Sequence, residues 1–152
     1  MNFKKTFLGK FLRYLLVSFK KLLHLRDSTH EIALGFAIGV VIGILPTFGF
    51  GIVILGLLAL VIRFNFIAAF TGSLINSPIF VPFWLASSYK IGEIITKIGI
   101  DLQRNNLVKN IFDFSVSYLV GNIVLSIILG IASYFIVFLI IEAYRSTKRG
   151  KN

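Results

Sequence analysis

The chain has no cysteine, only six acidic residues against sixteen basic ones, and one stretch of thirty-one residues with no charge at all. The missing cysteine excludes thiolate catalysis, disulfides, zinc–cysteine sites and lipid attachment at cysteine. Among the few acids there is no pair placed for general acid–base work, and none lies inside an apolar run, which argues against a proton pump. His24 and His30 stand six apart among basic residues with no further ligand pattern, so no metal is expected. There is also no nucleophile–base pair and no glycine-rich phosphate loop before a helix. The expectation is a protein that is not an enzyme and carries no cofactor.

What is present is apolar surface. Of 152 residues, 57% are hydrophobic, and the mean hydropathy is +0.89. A soluble domain holds about 45–50% apolar residues. The formal net charge of +10 does not point to nucleic acid, because the basic residues flank apolar segments and leave no basic–aromatic domain behind. The partners this charge predicts are membrane lipids, anionic ones first.

The uncharged stretch runs from Ile32 to Ile62. As one helix it would be about 46 Å long, against a hydrocarbon core of about 30 Å. It must therefore break, and Pro46-Thr47-Phe48-Gly49 is where it can. Ser28-Thr29-His30-Glu31 has the form of a capping box, which starts a helix over about 29–45. Gly35, Gly39 and Gly43 recur within it every four residues, a spacing that lets another helix approach closely. A second short helix is expected over about 50–62, ending at the polar boundary Arg63-Phe64-Asn65. A third apolar run ends at a second break, Asn76-Ser77-Pro78, and a fourth reaches Tyr89. Phe114 to Ile141 is an uncharged run of twenty-eight residues. Its Ser115, Asn122, Ser126 and Ser133 fall within about 40° on a helix, with Gly130 close by. That stripe is expected to face other helices, since a lipid-facing Asn122 would be costly.

These readings give an all-α integral membrane protein. Residues 1–27 form a basic amphipathic interfacial helix, with Phe3, Phe7, Phe11, Leu15, Phe19 and Leu22 at helical spacing among seven basic residues. Residues 28–95 form a membrane domain with two broken segments, 96–113 an extramembrane helix-loop, 114–141 a transmembrane helix, and 142–152 a basic tail. Seven basic residues in 1–26, Arg63, and four in the tail oppose Lys90, Lys97, Arg104 and Lys109 in the loop. The bias puts both termini in the cytoplasm. Residues 29–62 then either dip in as a re-entrant hairpin or cross twice as thin spans.

The two breaks are the candidate site, through Pro46, Gly49, Asn76 and Pro78. A broken helix frees backbone groups that hydrocarbon cannot satisfy, so protein, water or a ligand must. Helix N-termini there would favour an anion such as a phosphate headgroup. Arg63 and Asn65 join them as a candidate anion contact, the alternatives being a snorkelling arginine or a pair with Glu31. Gly35, Gly39, Gly43, Asn122, Ser126 and Gly130 are the candidate packing residues.

The string Ile32-Ala33-Leu34-Gly35-Phe36-Ala37-Ile38-Gly39, then Gly43, Pro46 and Gly49, then Arg63-Phe64-Asn65, then Asn76 with Pro78, resembles the bacterial membrane domain of unknown function family 2062. The similarity covers about residues 28–95. The family pattern has asparagine directly before proline, whereas Ser77 stands between them here. The resemblance implies a bacterial inner-membrane protein of uncharacterised activity. Its broken hairpins are similar, in architecture only, to the re-entrant loops of scramblase-like and transporter families. Two functions follow as expectations. One is a small transporter or lipid translocase, acting as a homo-oligomer. The other is a scaffold, assembly factor or partner subunit that binds another membrane protein without transport.

Overall fold

The computed structural model describes residues 17, 27–77, 80–99 and 107–149. The amphipathic stretch over 3–26 (Val17 excepted), Pro78, and most of the turn before the last helix lie outside the described residues. Those described form helices α1 (Thr29–Ile44), α2 (Gly51–Val61), α3 (Phe66–Ser73), α4 (Val81–Thr96) and α5 (Leu107–Arg149), with no strand among them.

Each boundary has a local cause. Ser28 and Glu31 cap the start of α1 reciprocally, each side chain accepting from the other's backbone N–H. α1 stops at Ile44 because Leu45 precedes Pro46 and takes an extended backbone, ψ 144°. Gly49, at φ 92°, supplies the left-handed step that turns the chain into α2. Asn65 caps α3 by accepting from the Ala68 N–H at 2.7 Å. α3 tightens into a 3-10 turn over Leu74–Asn76, and Ser77, which precedes Pro78, is extended. Pro82 sits in the first turn of α4, where a missing N–H costs nothing, and Lys97 closes that helix at φ 57°.

Helices meet where side chains are smallest. A Cβ on Gly35, Gly39 or Gly43 would run into the backbone of Asn65, Ala69 or Ser73. The pairs advance together, so α1 and α3 run parallel, and Gly72 presses equally on the Phe36 carbonyl. α4 and α5 are antiparallel, with Gly92 against Ser117 and Gly121 against Ser88. Gly130 of α5 admits the Val41 side chain of α1. Ile32, Ala33, Ala68, Val137 and Ile141 form one core cluster, and Ile42, Leu55 and Ala69 another. In lipid, where apolar burial gives little drive, such close backbone contact supplies the attraction.

The outer surface is apolar. α2 buries only Leu55, and Leu60 and Val61 are more than 80% exposed. α5 is long and apolar enough to cross a membrane, and only 22% of its most apolar window is buried, unlike the core helix of a soluble protein. The segment Phe66–Asn76 and α4, bent by 82° at the break between them, are together also long and apolar enough for one crossing. The protein is thus a helical membrane protein with short broken helices and one long C-terminal helix. That helix is about 63 Å long and overruns the uncharged segment at both ends, taking in Lys109, Asp113, Glu142 and Arg145. α4 likewise continues past Tyr89 through Lys90 and Glu93. Charge marks where a helix leaves the apolar layer, and does not by itself end the helix.

Candidate ligand site

The two breaks, about thirty residues apart in sequence, come together in space. They line a cavity of about 220 Å³ with Pro46, Thr47, Phe48 and Gly49 from the first, Asn76 from the second, and Val81, Trp84, Leu85 and Tyr118 from α4 and α5. The first break is held by the Thr47 N–H on the Leu45 carbonyl (2.7 Å) and the Phe50 N–H on the Thr47 carbonyl (2.9 Å). The second is held by the Trp84 indole, which donates to the Ile75 carbonyl at 3.2 Å. α4 begins on this cavity and α2 two residues beyond Gly49, and neither has a side-chain cap, whereas α1 and α3 both do. Their first-turn N–H groups, which α4 lacks at Pro82, therefore have no intrahelical acceptor and no N-cap side chain on them.

Behind the cavity wall lies Asn122, 1% exposed. Its Nδ2 lies 3.1 Å from the Ile44 carbonyl, 3.3 Å from Ser88 Oγ and 3.5 Å from Tyr118 Oη. Its Oδ1 is buried with no hydrogen-bond partner, as is Ser77 Oγ. Ser126, also buried, donates to the Ile123 carbonyl of its own helix.

Arg63 and Asn65 are elsewhere. They sit at the other end of α1, a helix length of about 22 Å away. The Asn65 N–H donates to the Glu31 carbonyl at 3.0 Å, and its amide donates to the Asp27 carboxylate. Arg145 of α5 reaches the Asp27 carbonyl at 2.7 Å and the Thr29 hydroxyl at 3.2 Å. Thr29 in turn donates to Glu142 at 3.1 Å, and His30 meets the Tyr134 hydroxyl at 2.9 Å. The Ser28 backbone N–H above all, then its hydroxyl, hold the Glu31 carboxyl below its usual range, against some desolvation; Arg63 and His30 add to the lowering. This end is a polar clasp that fixes the start of α1 to the end of α5.

Of the residues singled out in sequence at the breaks, Pro46, Gly49 and Asn76 line one cavity, Pro78 lies outside the described residues, and Arg63 with Asn65 belong to the clasp. Sequence reasoning passed over Trp84, Tyr118 and Ser88. A signal for part of this existed: Ser88 with Gly92, and Ser117 with Gly121, are each small residues four apart, the same spacing as the glycines of α1.

Residues 10–150 match the family described as "Uncharacterized protein conserved in bacteria (DUF2062)". No curated protein and no solved structure matches the chain.

Proposed function

The chain belongs to this uncharacterised bacterial family, and on that premise we propose that it is a small transporter or lipid translocase of the inner membrane that takes an anionic lipid headgroup into the cavity between its two helix breaks. The observation that carries the reading is the convergence of both breaks on one cavity. The uncapped first turns of α2 and α4 offer N–H groups and the positive ends of two helix dipoles to phosphate oxygens. Thr47, Asn76 and Tyr118 offer neutral polar contacts, and among the described residues no charged side chain lines the cavity. At about 220 Å³ it is smaller than the roughly 300 Å³ at which pockets for drug-sized ligands begin. It suits a headgroup whose tails stay in the bilayer, against the exposed apolar faces of the helices. Polar walls at membrane depth lower the cost of moving a headgroup through hydrocarbon, which is the central cost of translocation.

The test is purification in native lipid, followed by lipid analysis and growth complementation of a deletion strain. An anionic lipid should accompany the wild-type protein and be lost from Asn76→Ala. Asn76 is an exposed residue that lines the cavity, so that variant should melt close to wild type while failing to complement. Arg63→Lys, at the clasp, should complement. Full complementation by Asn76→Ala with unchanged lipid content would sink the reading.

One observation favours a second reading, a scaffold or partner subunit: α2 leaves Ile52, Val53, Leu57, Leu60 and Val61 exposed. A membrane protein recovered in stoichiometric amount, with no bound anionic lipid, would put that reading first.

A further inference from the structure

We infer that the cleft between α2 and α5, floored by α1, holds one acyl chain of a phospholipid from the clasp-side leaflet, with the lipid phosphate on Arg63. The cleft has a volume of about 470 Å³, and Leu34 and Ile38 of α1, Leu58 of α2, and Gly130, Ile131 and Phe135 of α5 line it. It shares no lining residue with the cavity between the breaks. It exists because α2 and α5 each pack on α1 and scarcely touch each other. Gly130 lets α5 close on the Val41 side chain, while Leu34, Ile38 and Val41, at helical spacing on α1, stay only partly covered. Ile131 and Phe135 are more than half exposed, so the cleft opens on the surface that meets lipid.

Lining, size and depth select the occupant. Among the described residues no polar atom faces the cleft, and the hydroxyl of Tyr134, which also lines it, meets His30 at 2.9 Å. On the scale of an apolar cavity of about 150 Å³ that takes benzene, the cleft takes about eighteen carbons, the size of one acyl chain. Along α1 it runs from about 8 Å to about 20 Å beyond the capped start, the depth of acyl chains below the clasp-side interface. A helix of a second copy is about 10 Å across with its side chains and cannot enter a cleft of this volume, whereas a flexible chain can. In lipid the gain is packing itself, because wall atoms that face a void lack a dispersion partner.

The rim at the clasp end supplies the headgroup contact. His30 lies one turn before Leu34 on the same face of α1, and Arg63 follows α2, five residues past Leu58. Both are exposed, and Arg63 acts on the Glu31 carboxyl, which puts it beside the start of α1. A planar guanidinium grips phosphate through two N–H groups. Asp27 and Glu31 stand at the same rim and offer carboxylates to an ammonium. The rim therefore fits a zwitterionic headgroup, phosphate with ammonium, better than a purely anionic one. The cleft takes a different lipid from the one proposed for the cavity between the breaks, and stands whether or not that cavity takes a headgroup.

The experiment is thermal melting of the full chain, delipidated in neutral detergent and titrated with short-chain phosphatidylethanolamine or, separately, phosphatidylglycerol. A saturable rise in Tm is expected with the ethanolamine lipid, at lower concentration than with the glycerol lipid. Ile131→Trp fills the cleft from its open side, so the lipid-dependent rise should vanish whatever the variant's own starting Tm. Arg63→Gln removes the charge, and its half-saturating lipid concentration should rise about tenfold. Asn76→Ala, at the other cavity, should respond like wild type. No saturable rise in wild type, or the same rise in Ile131→Trp, overturns the site. If Ile131→Trp does not fold, Arg63→Gln decides alone, and an unshifted midpoint overturns the site. A response to the glycerol lipid first, abolished by Asn76→Ala and kept by Ile131→Trp, supports the headgroup reading and sinks this one; the reverse pattern separates them the other way.

Discussion

Glycines in this protein differ by what surrounds them. Gly39 is pressed on the Ala69 backbone, and no side chain can be added without driving α1 from α3. Gly56 of α2 has nothing within 4 Å of where a Cβ would stand. We expect Gly39→Leu to cost about 3 kcal/mol or more through overpacking and to yield polydisperse protein in detergent. Gly56→Ala should raise stability by up to about 1 kcal/mol, because alanine loses less backbone entropy in a helix. Melting curves of the two purified variants check both directions, and a Gly39→Leu protein as stable as wild type would mean that this face does not hold α1 to α3. The repeat of Gly35, Gly39 and Gly43 is legible in sequence because its spacing is the helical one. Gly92 and Gly121 are harder to read, because Lys90 and Glu93 flank the first and make it look like a boundary. The unpaired Oδ1 of Asn122 is beyond sequence altogether, since it depends on how α1 and α4 pack against its own helix.

At the scale of elements, caps and breaks were legible because their causes are local. Ser28 with Glu31, Pro46 with Gly49, and Asn65 each act within four residues of themselves. That the breaks share a cavity was not legible, because it follows from the parallel contact of α1 with α3 and the 82° bend beyond it. The cap of α1 also gives a pH prediction. The folded Glu31 carboxyl lies below its ordinary value of 4.5, held there first by the Ser28 N–H. A carboxyl lowered by folding stabilises the folded state above its unfolded value, and that contribution is lost as pH falls through the lowered folded value. Glu31→Gln keeps a capping-box residue but cannot titrate. Between neutral pH and the acid side of 4.5, the variant should lose less Tm than wild type. Parallel Tm-against-pH curves for the two proteins would show instead that the cap carries no pH dependence.

The whole molecule is organised by which of its ends is polar. The Asp27 carbonyl, Thr29, Glu142 and Arg145 bond to one another, and Glu31 is drawn to Arg63, so the start of α1, the end of α2 and the end of α5 lie together. Lys97, at the end of α4, lies toward the other end of the molecule, near the start of α5. Twelve of the sixteen basic residues belong in sequence with the first group and four with the second. Anionic lipid and the insertion machinery favour basic residues on the cytoplasmic side, so the clasp end is expected there, with both termini, and the α4–α5 connection outside. The absence of native cysteine gives a clean measurement. Lys5→Cys and Arg149→Cys should each be protected from an impermeant thiol reagent in intact cells, and Asn105→Cys should be labelled. Permeabilising the cells should expose the first two, which separates protection by the membrane from protection by burial. Labelling of Arg149→Cys together with protection of Asn105→Cys would invert the molecule. It would also move the break cavity, which lies a helix length from the clasp, to the opposite leaflet.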